Sequence, residues 1–161
     1  MDLNTLDVLE KELEFTSFSH QDALAIGNGI VKLAQENNVA VAIHIERNRV
    51  PVFSHLMDGT SEENYLWLYR KKRIVDHYNR SSAYIEERFT QSGASHAEHS
   101  LLPVTEYQAV GGSIPIRVKG VGVVGSVTVG GLTGQLDHEY AVEGIRLFLN
   151  KKMSVEGNKS L

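Results

Sequence analysis

Apolar positions recur along this chain with two periods, and each period predicts a different kind of element. A spacing of three and four residues predicts a short opening helix, whose inner face is a row of leucines: Leu3, Leu6, Leu9 and Leu13. The same spacing continues from Ala23 to Ala34, where a stripe of small residues predicts a helix that approaches its neighbour closely. Ser19 and Asp22 stand before this helix at the spacing of a capping box.

Alternating, β-branched segments predict two β-hairpins. The first has a polar turn at residues 47–49, and the second has a glycine-containing turn at 119–120. Glycines also thin the last strand. The predicted strands are residues 39–46, 50–54, 114–118 and 121–129.

Three further helices complete the predicted order of elements. One runs from Glu62 to about Asn79 behind a Ser61 cap, the next continues to Gln91, and Asp137 caps the last. The resulting order, α-α-β-β-α-α-β-β-α, predicts an α/β protein of the α+β type. Its hairpins form a central antiparallel sheet flanked by helices, rather than a parallel βαβ arrangement.

Composition acts mainly by excluding classes of function. The 161 residues, 42% hydrophobic and 22% charged, predict one domain over residues 1–150 and a polar C-terminal tail at 151–161. The net charge of −4 argues against a nucleic-acid partner, and the longest uncharged run, 121–136, is too short and polar to cross a membrane. Cysteine is absent, which excludes disulfides, thiolate metal sites and a Cys nucleophile. With no signal-peptide pattern at the start, we expect a cytoplasmic protein without nucleic-acid or membrane partners.

The helix predicted at residues 62–79 carries the most informative polar group. Lys71 lies in the middle of an apolar arc whose other members are Trp67, Leu68, Ile74, Val75 and Tyr78. A lysine there either extends its ammonium to water along a buried stem or meets an acidic or anionic partner. Arg70 and Arg73 flank it on the more polar side, so the basic run represents two faces of one helix rather than a nucleic-acid patch.

Two other segments have the composition of anion-binding turns. The segment Arg80-Ser81-Ser82 lies at a break between helices, where it can hold an anion or where Ser simply caps the next helix. The segment Gly111-Gly112-Ser113 precedes a strand, so it is neither a dinucleotide loop nor a P-loop. Its glycines predict a positive φ or the close approach of another backbone.

The histidines leave alternatives open. His96 and His99, around Glu98, have a spacing that can serve a metal, but no third ligand has a fixed place, and a solvated loop is the alternative. His138 opens the last helix, whose dipole disfavours an imidazolium, so it is either a neutral ligand or a surface histidine. No GxSxG motif or obvious pair of catalytic carboxylates is present, and no sequence feature demands an enzyme.

Two blocks of residues carry a resemblance to a known family. The first block comprises Trp67-Leu68, Arg70-Lys71, Val75, Tyr78 and Arg80-Ser81-Ser82. The second comprises Gly111 to Ile116, Gly120 to Gly125, Gly130-Gly131-Leu132 and Asp137-His138-Glu139. Together they resemble the haem-degrading-domain superfamily of GlcG, HbpS and PduO C-terminal-like proteins, in its UPF branch. That branch usually has a Ser near the turn where this chain has Gly130.

The resemblance, which covers residues 4–150, implies a profilin-like fold and assembly into homo-oligomers. Some relatives bind haem or related tetrapyrroles. Our first hypothesis is therefore a non-enzymatic, oligomeric protein that binds a small anionic ligand, and the resemblance implies haem as the candidate cofactor. The predicted ligand-binding residues are Trp67, Arg70, Lys71, Arg80, Ser81, Ser82, Gly111, Gly112, Ser113 and His138.

Two other functions stay open. An enzyme acting on a small carboxylate- or phosphate-bearing metabolite would use Lys71 as electrophile or base, with His138 assisting. An assembly or scaffold protein would use the glycines and the basic helix for subunit contacts alone, and Arg70 and Lys71 would then pair with acidic residues of a neighbouring chain.

Overall fold

The structure, a computed structural model, describes residues 1–159. Its helices are α1 (Leu3–Glu12), α2 (His20–Glu36), α3 (Glu62–Tyr78), α4 (Ser82–Ser92), α5 (His96–Ser100) and α6 (Gly134–Lys159). Its strands are β1 (Ala42–Arg47), β2 (Val50–Leu56), β3 (Ser113–Val118) and β4 (Gly122–Gly130). None of the helices in this described part of the chain is long and apolar enough to span a membrane.

The four strands form one antiparallel sheet in the order β2-β1-β4-β3. Each predicted hairpin is present, and the pairing of β1 with β4 joins them. Asn48 and Arg49 have φ values of 51° and 66° at the first turn, which suits a two-residue turn that follows the twist of the strands. The predicted α/β class with a central antiparallel sheet is confirmed.

One face of the sheet packs on α2 and α6 and forms the main apolar core. The residues that meet there from the strands and helices are Ile43, Ile45, Ile116, Val127, Val129, Ile26, Ile30, Ala141 and Ile145. The small-residue stripe on α2 makes this packing close, as predicted. A Cβ at Gly27 would lie 2.5 Å from the ring of Phe53, so only glycine fits.

The other face of the sheet is buried but polar. It carries His44, Glu46, Ser113, Ser126 and Thr128, all at most 2% exposed. Helix α3 covers this face, and Leu68 contacts the backbone there, 3.2 Å from the position of a Cβ on Gly130. The protein therefore has three layers, with an apolar interface on one side of the sheet and a polar interface on the other.

The predicted start of the last helix differs from the structure. Helix α6 begins at Gly134 rather than behind an Asp137 cap, because the Thr133 hydroxyl accepts the Leu136 N–H at 3.2 Å and acts as the cap. At the other end, α6 continues through residues 151–159 of the predicted polar tail; residues 160–161 lie outside the described part of the chain.

Candidate functional site

Lys71 and Asp137 form a buried ion pair between α3 and the start of α6. The Lys71 Nζ donates to Asp137 Oδ2 at 2.6 Å and to the Val129 carbonyl at 3.3 Å. Lys71 is only 3% exposed, so the interpretation that its ammonium reaches water is wrong, and the acidic-partner interpretation is confirmed. The partner belongs to the same chain, not to a neighbouring subunit.

The Asp137 carboxylate is used on both oxygens. Its Oδ1 accepts the Leu132 N–H at 3.0 Å, while Oδ2 binds Lys71. Burial raises the pKa of Asp137, and the charge and hydrogen bond of Lys71 oppose this rise only in part. Asp137 thus fixes the turn before α6 and neutralises a lysine, which explains its position without a cap.

Gly112 makes room for this ion pair. Its φ is +136°, and a Cβ there would lie 2.6 Å from the Val129 carbonyl and 2.9 Å from Lys71 Nζ. Gly111 is equally confined, because its Cβ would lie 2.6 Å from the Gly134 carbonyl oxygen. The predicted positive φ and close backbone approach are both present.

A cavity of about 280 Å³ lies next to the Lys71–Asp137 pair. Trp67 and Asn64 form its α3 wall, and Gly131 and Leu132 form the facing wall. The volume is just below the range of about 300–1,000 Å³ that small-molecule sites usually occupy. Since the ammonium at its base is already neutralised, the cavity offers no free positive charge.

Arg70 and Arg80 point to two other places. The Arg70 guanidinium lies 5.1 Å from the centre of the Trp67 ring, and its Nε donates to the Thr105 carbonyl at 3.2 Å. Arg80 binds α1, with Nε 2.9 Å from Glu10 Oε2 and Nη2 2.8 Å from Asp7 Oδ1. The predicted basic residues therefore do not surround a common cavity.

The helix start at Ser81 is occupied by an anion of the chain itself. The Ser81 hydroxyl accepts the Tyr84 N–H at 3.1 Å, as a helix cap does, and the Ser81 N–H donates to Glu10 Oε1 at 2.9 Å. The hydroxyl of Ser82 accepts the Ser113 N–H at 3.0 Å and holds α4 against β3. These contacts give the predicted anion-binding segment a structural partner, Glu10.

His138 lies away from Lys71, in a groove between α1, α2 and α6. It is 4% exposed, so the surface-histidine alternative is wrong. Neither ring nitrogen has a hydrogen-bond partner among residues 1–159. Burial lowers the pKa of His138 despite the opposing charges of Glu10 and Glu139, so the imidazole is neutral near pH 7. A buried imidazole with two unpaired nitrogens is costly and calls for an explanation.

The groove beside His138 has a volume of about 820 Å³. Apolar side chains supply much of its wall: Val8, Leu9, Leu33, Leu136 and Val142. Its charged lining residues are Glu12, Glu139, Glu143 and Arg146, and Arg146 already lies 3.3 Å from Glu143. The groove is thus apolar with an acidic rim, and it does not attract anionic groups by charge.

A second buried polar cluster, which the sequence did not predict, lies between β1 and α3. His44 Nε2 is 2.6 Å from Glu46 Oε2, and Lys72 Nζ donates to Glu46 Oε1 at 2.8 Å and to Asp76 at 2.7 Å. Burial alone would raise the pKa of Glu46, but hydrogen bonds and charges from His44 and Lys72 outweigh it and lower this pKa. The available signal was the spacing of His44 and Glu46, which places both on one face of β1, while Ile43 and Ile45 lie on the other face.

The histidines at 96 and 99 lie on α5, a short helix where a loop was the alternative. The His96 Nε2 is 3.0 Å from the Tyr78 hydroxyl, and its ring packs edge-on against Phe89. Within residues 1–159 no group of three or more histidine or carboxylate side chains could hold a metal ion. The structure therefore uses these histidines in aromatic packing.

Residues 18–146 match the model of a family described as haem degrading protein HbpS-like. A UPF0303 protein of Burkholderia thailandensis is 41% identical over 145 residues, covering 90% of this chain and 88% of that protein. A UPF0303 protein of Streptomyces coelicolor is 39% identical over 146 residues, covering 91% and 92%. Both likenesses extend over nearly the whole chain.

Solved structures show the same fold. The Ybr137w protein superposes with a TM-score of 0.86 at 26% identity, over 93% of this chain and 89% of that one. HbpS gives 0.67 at 20% identity over 83% and 92% of the two chains. PduOC, crystallised in complex with haem, gives 0.68 at 18% identity over 81% and 94%.

Proposed function

Because this chain belongs to the HbpS-like family of haem-degrading proteins, we propose that it binds a tetrapyrrole, with haem as the candidate. We place the site in the groove between α1, α2 and α6, at His138. The observation that carries the proposal is the buried, neutral imidazole of His138, whose two nitrogens are unpaired beside a groove of about 820 Å³.

The chemistry of His138 fits a haem iron. A neutral imidazole has a free lone pair on one nitrogen and is the commonest protein ligand of haem iron. The lowered pKa keeps that lone pair available near neutral pH. Because both nitrogens are shielded from water, side chains next to the ring must shift before a ligand in the groove reaches it.

The shape of the groove also fits a macrocycle better than the cavity at Lys71 does. Its volume lies well within the range of small-molecule sites, whereas the cavity at Lys71 has about 280 Å³. Apolar side chains of α1 and α6, such as Val8 and Leu136, supply a surface for a flat ring. The acidic rim directs propionate groups outward to solvent, since like charges repel.

This placement changes the role of the basic residues in the anionic-ligand hypothesis. Lys71 and Arg80 are neutralised by Asp137 and Glu10, so they stabilise the fold around the groove rather than bind propionates. Arg80 in particular holds α1, which forms one wall of the groove. A catalytic pairing of Lys71 with His138 has no support, because the two side chains line different cavities.

Self-association stays part of the proposal. Several large apolar side chains are exposed on the described surface, among them Leu24 and Leu147 at 44% each. Size-exclusion chromatography with light scattering tests it directly, and a monomer at micromolar concentration would contradict it.

The proposal is tested by titrating the purified protein with haemin and following the Soret band. We expect a saturable, stoichiometric shift in the wild type and in His55→Ala, which removes an exposed histidine on β2. We expect His138→Ala to lose the shift while keeping its circular dichroism spectrum. A weak, non-saturating change that is equal in all three proteins would show surface adsorption and overturn the proposal.

A further inference from the structure

Ser54, His44 and Glu46 form a hydrogen-bonded chain at the open edge of the sheet. The Ser54 Oγ lies 3.2 Å from His44 Nδ1, and His44 Nε2 lies 2.6 Å from Glu46 Oε2. Ser54 is exposed, whereas His44 and Glu46 are at most 2% exposed. This series of hydrogen bonds therefore leads from a hydroxyl in water to a carboxylate in the interior.

The register of the sheet brings Ser54 and His44 together. His44 pairs with Ser54 across β1 and β2, so their side chains lie on the same face. The Met57 N–H donates to the Val41 carbonyl at 3.1 Å, and hydrogen-bonded pairs alternate along an antiparallel ladder. His44 and Ser54 are therefore a non-hydrogen-bonded pair, the kind whose side chains approach most closely.

The same alternation leaves the Ser54 backbone N–H pointing away from β1. Strand β2 is an edge strand, and no strand of residues 1–159 lies beyond it. That N–H is thus available to a molecule from solvent, next to the hydroxyl of the same residue. A hydroxyl and a free N–H donor side by side are what an acyl group needs at a nucleophilic serine.

Glu46, at the buried end of these hydrogen bonds, determines where His44 carries its proton. Lys72 holds the second oxygen of Glu46 at 2.8 Å and lowers the pKa of the carboxyl together with His44, so Glu46 is ionised. An ionised carboxylate only accepts, hence Nε2 of His44 carries a proton, and in the neutral imidazole Nδ1 is then the acceptor for the Ser54 hydroxyl. This is the relation of nucleophile, base and orienting acid found in acyl-transfer enzymes, with the imidazole ring turned end for end.

We propose that Ser54 is a nucleophile for small, accessible carboxylic esters, with His44 as its general base and Glu46 as the group that positions His44. These three residues are brought together by strand pairing rather than by a turn. The arrangement therefore does not need the GxSxG motif, which the sequence lacks.

The reaction balances within these groups. The Ser54 Oγ bonds to the ester carbonyl carbon, its proton moves to His44 Nδ1, and the carbonyl electron pair moves to the oxygen beside the Ser54 N–H. When the carbonyl re-forms, the bond to the alcohol oxygen breaks and His44 returns the proton to the leaving alkoxide. Water then repeats the addition, releasing the carboxylic acid and restoring the Ser54 hydroxyl.

The surroundings select the class of ester. Tyr69 lies over His44 with ring centres 5.3 Å apart, and its hydroxyl is 2.9 Å from that of Tyr65. These rings form an aromatic wall on the α3 side of His44, while the exposed serine imposes no deep pocket. Aryl esters of short acids suit this site, because a flat leaving group stacks on the wall and a small acyl group reaches Ser54.

The test uses p-nitrophenyl acetate hydrolysis and covalent labelling by a fluorophosphonate, with the labelled peptide identified by mass spectrometry. We expect hydrolysis and label on the peptide containing Ser54 in the wild type. Ser54→Ala should lose the label and reduce the hydrolysis rate by about 100-fold, the scale of a lost general-base step. Because Ser54 is exposed, this variant keeps the fold, which thermal melting checks.

Two matched variants sharpen the result. Ser17→Ala, at an exposed serine that contacts Lys152 rather than a histidine, should leave label and rate unchanged. Glu46→Gln should slow the reaction and be rescued by Glu46→Asp if Glu46 positions His44. Absence of labelling in the wild type, or equal hydrolysis by wild type and Ser54→Ala, would overturn the proposal. Neither result bears on haem binding at His138.

Discussion

Removing the Lys71 ammonium from its ion pair tests the polar interface between α3 and the rest of the fold. In Lys71→Met the Asp137 carboxylate keeps the Leu132 N–H but loses its cation, at a site where both side chains are at most 4% exposed. At 2.6 Å and an effective dielectric constant of about 20, the direct attraction is about 6 kcal/mol before desolvation is subtracted. Breaking one side of such a buried pair typically costs about 3–5 kcal/mol.

The assay is urea unfolding followed by circular dichroism, in wild type, Lys71→Met, Asp137→Asn and the double variant. We expect each single variant to lose about 3–5 kcal/mol and the double variant to lose clearly less than the sum, since it leaves no unpaired charge. The pH dependence adds a second check. Burial raises the pKa of Asp137 even in the pair, and without Lys71 the rise is larger.

The direction of the pH effect follows from proton binding. In Lys71→Met the folded state binds a proton at Asp137 at pH values where the unfolded state does not. Its stability therefore falls, relative to the wild type, as pH rises from the ordinary aspartate value of 3.8 through the raised pKa of the folded state. Losses below about 1 kcal/mol in both single variants, or a double variant as unstable as the sum, would refute the view that this pair is buried and isolated from water.

Two further outcomes are expected. Gly112→Ala should destabilise the fold by at least about 2 kcal/mol in the same unfolding assay, because its Cβ would lie 2.9 Å from Lys71 Nζ at a φ of +136°. The control is Gly29→Ala, at a helical glycine with open space around it, which should be neutral or stabilising. Equal effects of the two substitutions would contradict the steric argument. Burial and the charges of His77 and His99 lower the pKa of His96, so the unfolded state takes up the proton first as pH falls below about 6.5. The wild type should therefore lose stability on acidification through this range, and His96→Phe should lose less. Parallel curves of stability against pH for the two proteins would contradict this assignment to His96.

The sequence determined the elements more clearly than the site, for physical reasons. The leucine row of α1, the Ser19–Asp22 capping box and both hairpins depend on neighbours within a few residues, and all are present. The partners of Lys71 and Arg80 lie 66 and 70 residues away along the chain, at Asp137 and Glu10. Nothing in local periodicity specifies such pairs.

The sequence also did not predict that one face of the sheet is both polar and buried. His44 and Glu46 occupy alternate positions of β1, the pattern of a half-exposed strand, yet α3 covers them. Two adjacent lysines on α3 were the only hint that this covering helix brings its own charges inside. Likewise, His138 follows Asp137 directly but faces a different cavity, because successive helical residues point about 100° apart.

The adjacent lysines of α3 have a consequence for how this protein can diverge. Lys71 forms an ion pair with Asp137 of α6, and Lys72 forms one with Glu46 of β1. One helix is therefore bound by charge to two segments that are distant along the chain. A substitution that removes the charge at any of these four positions leaves its partner's charge unpaired in the interior, unless the partner is replaced too. Related sequences can therefore alter this interface only by replacing both members of a pair, and the first replacement gives a less stable intermediate. The apolar interface on the opposite side of the sheet can instead change by single substitutions that add or remove one methyl group.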